Sequence, residues 1–129
     1  MNDKVCIVTG VGDGTGRGVV QRFADGGYRV AMIARDLERL RQIETEIPRS
    51  VAFACDVSKE AEVGAVVSDI AGRLGAPSVL VHNAVSFDSL LGNFLEIEPS
   101  MLEHNFKVNT MGLLYCARSV APLMLDAGR

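Results

Sequence analysis

The sequence predicts an α/β protein: a three-layer α/β/α sandwich built around a parallel sheet. Four short apolar segments alternate with segments whose apolar residues recur at helical spacing. Strands that are apolar along their whole length are buried on both faces, which is typical of a parallel sheet covered by helices on each side. Right-handed crossovers then give the strand order 3-2-1-4, with a ligand crevice at the carboxyl ends of strands 1 and 4.

The first half of the chain contains three predicted strands and two predicted helices. The strands are residues 4–9, 28–34 and 51–55, and the helices are residues 15–25 and 36–47. Gly26-Gly27 ends the first helix, Asp36 can cap the second, and Pro48 stops it.

The second half continues the same alternation. A third helix starts at Ser58 and ends at Gly75, and the fourth strand is residues 78–82. After a loop to Glu98, Pro99 fits the first position of a long final helix over residues 99–127. At this length, and with no repeat or low-complexity linker, residues 1–129 are predicted to contain one domain at most, as the N-terminal part of a single-domain fold.

Composition excludes several classes of protein. The chain is 48% apolar and 22% charged with net charge −3, and its basic residues are scattered, so no nucleic-acid surface is predicted. The apolar run 111–125 is too short to span a membrane and contains Arg118 and Pro122. The three cysteines lie far apart without metal-ligand spacing, so we predict no metal, reduced core thiols and a cytoplasmic protein without a signal peptide.

Five glycines occur in the nine positions 10–18, between the first strand and the first helix. Gly10 suits the sharp exit from the strand, Gly14 leaves room for a pyrophosphate, and Gly16 lets the helix pack closely on the strand. The free N–H groups of the new helix would face the phosphates. This order predicts a dinucleotide site of the Rossmann type; an ordinary glycine turn is the alternative.

The second strand ends at Ala34-Arg35, where an acidic residue would select NAD. A guanidinium at this place can bind the 2′-phosphate of NADP, so the sequence favours NADP (NADPH) over NAD. A solvated Arg35 is the alternative. Asp36 competes as a ribose ligand, although helix capping explains it equally, and Asp13 in the glycine loop counts against NADP.

Polar residues follow the other strand ends. Asp56 can meet the adenine edge, or serve as a turn or cap before Ser58, and the Asn83 amide can tie neighbouring strand ends together. We interpret His82 as structural and His104 as solvated.

Four motifs resemble the classical short-chain dehydrogenase/reductase family, in the family's order. They are Thr9-Gly10-x-x-x-Gly14-x-Gly16, Cys55-Asp56-Val57, His82-Asn83-Ala84-Val85 and Val108-Asn109-x-x-Gly112. The resemblance covers the whole chain as the family's N-terminal cofactor-binding half. It implies a Rossmann fold, NAD(P)-dependent interconversion of alcohols and carbonyls, and a cytosolic dimer or tetramer.

The resemblance also assigns site residues. Asn109 matches the family's helix asparagine, which holds a water in the proton relay, and is the predicted catalytic residue. With the rest of the glycine loop and the residue after Ala84, the predicted cofactor-binding residues are Gly10, Gly12, Asp13, Gly14, Thr15, Gly16, Arg35, Asp56, Val57, Asn83, Ala84 and Val85.

The sequence departs from the family in two places. The usual Asn-Asn-Ala-Gly appears as His82-Asn83-Ala84-Val85, which puts a side chain where glycine normally admits the nicotinamide half. Neither Tyr28 nor Tyr115 has a lysine four positions later, so the family's tyrosine–lysine pair is missing. Without a neighbouring cation, a phenol of pKa about 10 is a poor acid–base group at neutral pH.

Strand 4 would be an unpaired apolar edge, and the final helix is apolar nearly all round. Both observations predict a chain truncated before strand 5. The exposed side of the 99–127 helix predicts a homodimer or homotetramer, and the catalytic serine, tyrosine and lysine are expected beyond residue 129. The loop 85–98, with Phe87, Leu90, Leu91 and Phe94, is expected to form one wall of the substrate pocket.

Three functions remain open. The first is an oxidoreductase acting on a small alcohol or carbonyl, and the second is an inactive nucleotide-binding or interaction module. The third, a methyltransferase, would want an acidic residue where Thr9 stands. A P-loop NTPase is excluded because Gly16-Arg17-Gly18 offers neither the lysine nor the hydroxyl that it needs.

Overall fold

The computed structural model describes residues 4–86 and 92–128. Their four strands form one parallel sheet in the order β3-β2-β1-β4, which confirms the predicted topology. The strands are β1 (Val5–Thr9), β2 (Arg29–Ala34), β3 (Ser50–Ala54) and β4 (Pro77–His82). β1 is buried along its whole length because it lies between β2 and β4 and under helices on both faces.

The described residues form five α-helices and a short 3₁₀ turn at Phe94–Glu96. The helices are α1 (Thr15–Asp25), α2 (Leu37–Glu46), α3 (Glu60–Leu74), α4 (Pro99–Phe106) and α5 (Gly112–Asp126). Val20 of α1 and Leu40 of α2 pack in the core on one face of the sheet. Ile70 of α3 and Val120 of α5 pack in the core on the other face, so the three-layer sandwich is confirmed.

One predicted helix boundary is wrong, and the final helix contains a turn that the sequence does not predict. The third helix begins at Glu60 rather than at Ser58, because the Ser58 hydroxyl and N–H both bond to the Asp56 carboxylate, at 2.7 and 3.0 Å. The final helix is divided by a π-helical turn over Lys107–Met111, in which the Gly112 N–H bonds to the Lys107 carbonyl five residues back. The backbone stays helical through this π turn, so α4 and α5 are continuous.

The three cysteines are free and buried. Burial raises the pKa of Cys6 and Cys55 to about 12 and that of Cys116 to about 11, so all three are protonated thiols at neutral pH. The described residues contain no cluster of potential metal ligands. Across residues 4–86 and 92–128, no helix combines the length and apolar character needed to cross a membrane.

Glycines let three backbone segments meet at the end of β1. Gly10 has φ +69°, and a Cβ there would lie 2.4 Å from the Ala84 Cα. A Cβ on Gly16 would lie 2.7 Å from the Gly10 carbonyl oxygen and 2.9 Å from the Val11 Cα. These obstacles are backbone atoms, which cannot rotate away, so α1 approaches the β1–β4 edge only because both positions lack side chains.

Two glycines of α1 provide a matched test of this approach. We expect Gly16→Ala to destabilise the fold by about 1–3 kcal/mol, because its methyl group meets backbone. Gly18→Ala lies two residues further along the same helix, where a Cβ meets no described atom within 4 Å. It should stabilise the fold by about 0.5–1 kcal/mol through helix propensity. Urea denaturation followed by circular dichroism measures both, and equal effects of the two substitutions would contradict the close packing.

Candidate functional site

A cleft of about 690 Å³ opens at the carboxyl ends of the strands, where the winding of the sheet reverses. It is bounded by the loop after β1, the ends of β2 and β3, the segment after β4, and the helix formed by α4 and the π turn. Seven of the predicted cofactor-binding residues line it: Gly10, Gly12, Arg35, Asp56, Val57, Ala84 and Val85. A cleft in this position is where open parallel sheets bind their ligands.

Hydrogen bonds to Thr9 join the ends of β1 and β4. Its buried hydroxyl oxygen accepts the backbone N–H groups of Asn83 and Ala84, both at 3.1 Å. The Asn83 side-chain amide in turn donates to the Gly10 carbonyl at 3.0 Å. Asn83 therefore ties two strand ends together under the glycine loop, as its position in the sequence predicts, rather than lining the cleft itself.

The backbone of the glycine loop has open space beside it at Gly12 and Gly14. The N–H groups of Gly10 and Val11 are used by the Ile33 carbonyl, at 2.9 and 3.3 Å, which anchors the start of the loop to β2. Beyond that anchor, a Cβ added to Gly12 or Gly14 would meet no described atom within 4 Å. The loop therefore has room for a group that approaches its backbone closely.

α1 begins directly after this open loop, although Gly14, Thr15 and Gly16 are not among the described residues that line the cleft. Gly14 is the N-cap residue, so no side chain caps the helix, and the first turn, which begins with Thr15 and Gly16, contains no acidic residue. The first N–H groups of a helix lack partners within the helix, and the helix dipole adds partial positive charge there. Such an end fits a pyrophosphate, with backbone donors as its principal ligands.

The end of β2 holds the two residues discussed for the ribose. Arg35 is exposed and lines the cleft, so its guanidinium can reach a charged group there. Asp36 also lines the cleft, but its carboxylate accepts the Arg39 N–H at 3.1 Å and caps α2. The capping interpretation of Asp36 is therefore the one that the structure supports.

Asp56 follows β3, the strand next to β2. Its burial would raise its pKa, but the two hydrogen bonds from Ser58 and the charges of Arg35 and Lys59 outweigh burial and lower the pKa. Asp56 is therefore ionised at neutral pH. Its carboxylate forms the turn before α3, and the charge of Arg35 lowers its pKa, as expected for residues that follow the neighbouring strands β2 and β3.

Asp13 contributes differently from the other predicted residues. Its carboxylate forms an ion pair with Arg39 of α2 and is not part of the described lining. The pair joins the glycine loop to α2 on the outside of the cleft. Because Arg39 compensates its charge, Asp13 opposes a phosphate less than its sequence position predicts.

Asn109 lies in the π turn and holds the segment that follows β4. Its side-chain amide accepts the Ser86 N–H at 2.7 Å and donates to the Ser86 carbonyl at 2.9 Å. The Ser86 hydroxyl also donates to Asn105, at 2.7 Å. The side chain predicted to act in a proton relay is thus engaged by backbone, and its catalytic role stays a prediction.

Sequence reasoning missed part of the lining. His104, predicted to be solvated, is half-buried and lines the cleft, as do Ser86 and Val108. The four-residue spacing of His104 and Val108 puts them on one helix face, a signal that could have found the histidine. Of the predicted pocket wall, Phe87, Leu90 and Leu91 lie outside the described residues, and Phe94 is 79% exposed.

Comparisons with known proteins agree with this geometry. The sorbitol dehydrogenase of Cereibacter sphaeroides is 32% identical over 130 residues, covering 100% of this chain and 50% of that protein. An actinorhodin polyketide ketoreductase solved with NADPH superposes with a TM-score of 0.91 at 28% identity, covering 99% of this chain and 52% of that one. A 3-ketoacyl-(acyl-carrier-protein) reductase from Brucella melitensis, complexed with NADH, gives 0.89 at 31% identity, covering 98% and 52%.

The chain therefore spans about half the length of the relatives that it matches. A family model described as short chain dehydrogenase matches residues 4–129. The glycine loop, the parallel sheet with its 3-2-1-4 order and the cleft at its switch point accord with that match. The chain belongs to the short-chain dehydrogenase/reductase family of oxidoreductases.

Proposed function

We propose that this chain binds NADP(H) and forms the cofactor-binding part of an enzyme that transfers hydride between NADP(H) and a small alcohol or carbonyl substrate. The observation that carries the proposal is the start of α1, which has no side-chain cap and follows a glycine loop with open space at Gly12 and Gly14. Family membership supports the reaction class, because the sorbitol dehydrogenase and the two reductases above carry oxidoreductase names.

The preference for NADP rests on the wall of the cleft at the end of β2. A 2′-phosphate would meet Arg35 there, and no acidic side chain at Ala34 competes for the ribose hydroxyls. One carboxylate oxygen of Asp36 caps α2, which gives this residue a structural role beside any contact with the ribose. Related structures are named with NADPH and with NADH, so the preference depends on Arg35 itself.

The residues of this chain would bind and orient the cofactor. Its nicotinamide supplies the hydride acceptor or donor when bound. The start of α1 would hold the pyrophosphate, Arg35 the 2′-phosphate, and Asp56 with Val57 the adenine side. Ala84 and Val85 would contact the nicotinamide half, and Asn109 would fix their position through Ser86.

The acid–base groups for the substrate oxygen are proposed to lie outside these 129 residues, since no tyrosine here has a lysine four positions later. The exposed Leu113 and Leu114 of α5 support assembly as a homodimer or homotetramer through the 99–127 helix. We further propose a cytoplasmic location and a single domain that includes residues 1–129.

A second candidate is a catalytically inactive nucleotide-binding module, which is the case if the full-length protein has no tyrosine with a lysine four positions later. Turnover separates the two candidates. In the full-length gene product, the oxidoreductase proposal expects substrate-dependent NADPH oxidation, read as loss of cofactor absorbance, across a panel of aldehydes and ketones. Tight NADPH binding without turnover on any member of the panel would favour the module.

We expect Gly14→Val to abolish binding of both NADPH and NADH. The added side chain would occupy space that is open in the protein and that the pyrophosphate needs. Fluorescence titration of the full-length protein measures binding, and circular dichroism verifies the fold. Gly18→Ala is the control, because it also adds a Cβ to open space but one turn deeper in α1. Unchanged affinity in a folded Gly14→Val variant would exclude this loop as the phosphate site.

We expect Arg35→Ala to weaken NADPH binding by about 1.5–3 kcal/mol, roughly 10- to 150-fold, as for a hydrogen bond to a charged group. NADH binding should stay within about twofold, because NADH lacks the 2′-phosphate. Arg41→Ala, at an exposed arginine of α2 outside the described lining, controls for the loss of one positive charge. Equal losses for both cofactors would refute the NADP assignment.

A further inference from the structure

His82 lies at the carboxyl end of β4, half-buried behind the wall of the cleft. Both of its ring nitrogens have hydrogen-bond partners. Nδ1 lies 2.9 Å from the Thr9 hydroxyl oxygen, and Nε2 lies 3.3 Å from the Val108 carbonyl oxygen. The ring therefore connects the end of β1 to the π turn of the final helix.

The hydrogen bonds of the Thr9 hydroxyl determine which ring nitrogen of His82 carries the proton. It has one proton and two lone pairs, and both lone pairs are used by the N–H groups of Asn83 and Ala84. Thr9 can therefore only donate to His82 Nδ1, which must be unprotonated to accept. The ring proton then lies on Nε2 and is donated to the Val108 carbonyl. The neutral Nε2–H tautomer satisfies every group in the chain of hydrogen bonds.

Each end of this series of hydrogen bonds reaches one part of the candidate site. On the β1 side, Thr9 holds Asn83 and Ala84, and Asn83 holds the Gly10 carbonyl of the glycine loop. On the helix side, Val108 lines the cleft next to Asn109, whose amide holds Ser86. His82 thus joins the phosphate-binding side of the cleft to the side that would receive the nicotinamide.

We propose that His82, as the neutral Nε2–H imidazole, is a positioning residue that fixes the π turn carrying Asn109 relative to the glycine loop. The proposal rests on the proposed cofactor function of this cleft. It assigns to His82 a role at both ends of the site, although its ring does not line the cleft itself.

Protonation of the ring would break the arrangement. A second ring proton at Nδ1 would point at the Thr9 oxygen, whose lone pairs are already used, and Thr9 would lose its acceptor. Burial lowers the pKa of His82, and the hydrogen bond to Val108 opposes that shift only in part. The ring is therefore neutral at pH 7 and the chain of bonds is complete there.

Burial is the main cause of the lowered pKa of His82. No charged side chain among the described residues contributes to the shift. On β1 the ionisable residue is Cys6, which belongs to the core on the other face of the sheet. On α4, the π turn and α5 they are Glu103, His104, Lys107, Tyr115, Cys116, Arg118 and Asp126.

The sign of the pH dependence follows. The unfolded chain protonates this histidine near its ordinary pKa of 6.5, and the folded chain only at lower pH. The contribution of His82 to stability is therefore complete above about pH 6.5 and is lost as the pH falls through the folded pKa.

Two substitutions separate the two ends of the ring in the full-length protein. In His82→Asn, the amide reaches the position of Nδ1 and keeps the bond with Thr9, but it is too short to reach Val108. In His82→Gln, the amide nitrogen reaches the position of Nε2 and keeps the bond with Val108, but the bond with Thr9 is lost.

We expect the two variants to show opposite defects. His82→Asn should lower kcat by about 2- to 12-fold, the loss of one neutral hydrogen bond, and leave the Kd for NADPH close to wild type. His82→Gln should raise the Kd for NADPH by a similar factor and leave kcat nearly unchanged. Both should lose the part of the fall in Tm between pH 7 and pH 5.5 that we expect His82 to cause in the wild type. Parallel changes in kcat, Kd and Tm for both variants would mean a merely structural histidine.

Nitrogen NMR of the wild type tests the tautomer without turnover or a folded variant. The His82 signal is identified by the contact of its ring with the Val108 region, so the assignment needs no substituted protein. We expect Nδ1 to resonate as an unprotonated nitrogen and the ring to titrate below 6.5. An Nδ1–H tautomer, or an ordinary pKa, would overturn the positioning role. Failure of NADPH to bind the wild type would instead overturn the proposed function and leave the tautomer measurement intact.

Discussion

The structure depends on a backbone contact between three segments at the end of β1. Gly10 meets Ala84 after β4, and Gly16 of α1 meets the Gly10 carbonyl, at distances that leave no room for a Cβ. This contact brings the start of α1 over the strand ends and so fixes where its free N–H groups point. The proposed phosphate site depends on that placement. A side chain at either glycine would move the start of α1 away from the strand ends.

Hydrophobic pattern predicted the fold well because the sheet is buried on both faces. Each strand is a continuous apolar run, and right-handed crossovers leave little freedom in strand order. The glycine loop and the residues after each strand were also predictable, since parallel strands bring their carboxyl ends to one edge. The role of Asp36 was open in the sequence, and only the bond from the Arg39 N–H identified it as a cap.

The parts that could not be predicted depend on partners distant in sequence or on small changes of helical winding. Apolar periodicity barely distinguishes 3.6 residues per turn from a single π turn, so the division of the final helix at Lys107–Met111 left no clear signal. The sequence predicts a solvated His104 because it does not show where the final helix crosses the strand ends, which is what buries this residue. Asn109 matches a motif, but its hydrogen bonds with Ser86 join residues 23 positions apart, which the motif does not indicate.

The π turn also sets the rotational relation between two helices that face different neighbours. α4 and the turn contribute His104 and Val108 to the cleft, whereas α5 packs Cys116 and Val120 into the core beside α3. A π turn equals one extra residue wound into an α-helix, and each residue advances the helix by about 100°. Removing one residue there would restore uniform winding and turn α4 by that angle against α5. Either Cys116 and Val120 could then stay in the core, or His104 could stay in the wall of the cleft, but not both.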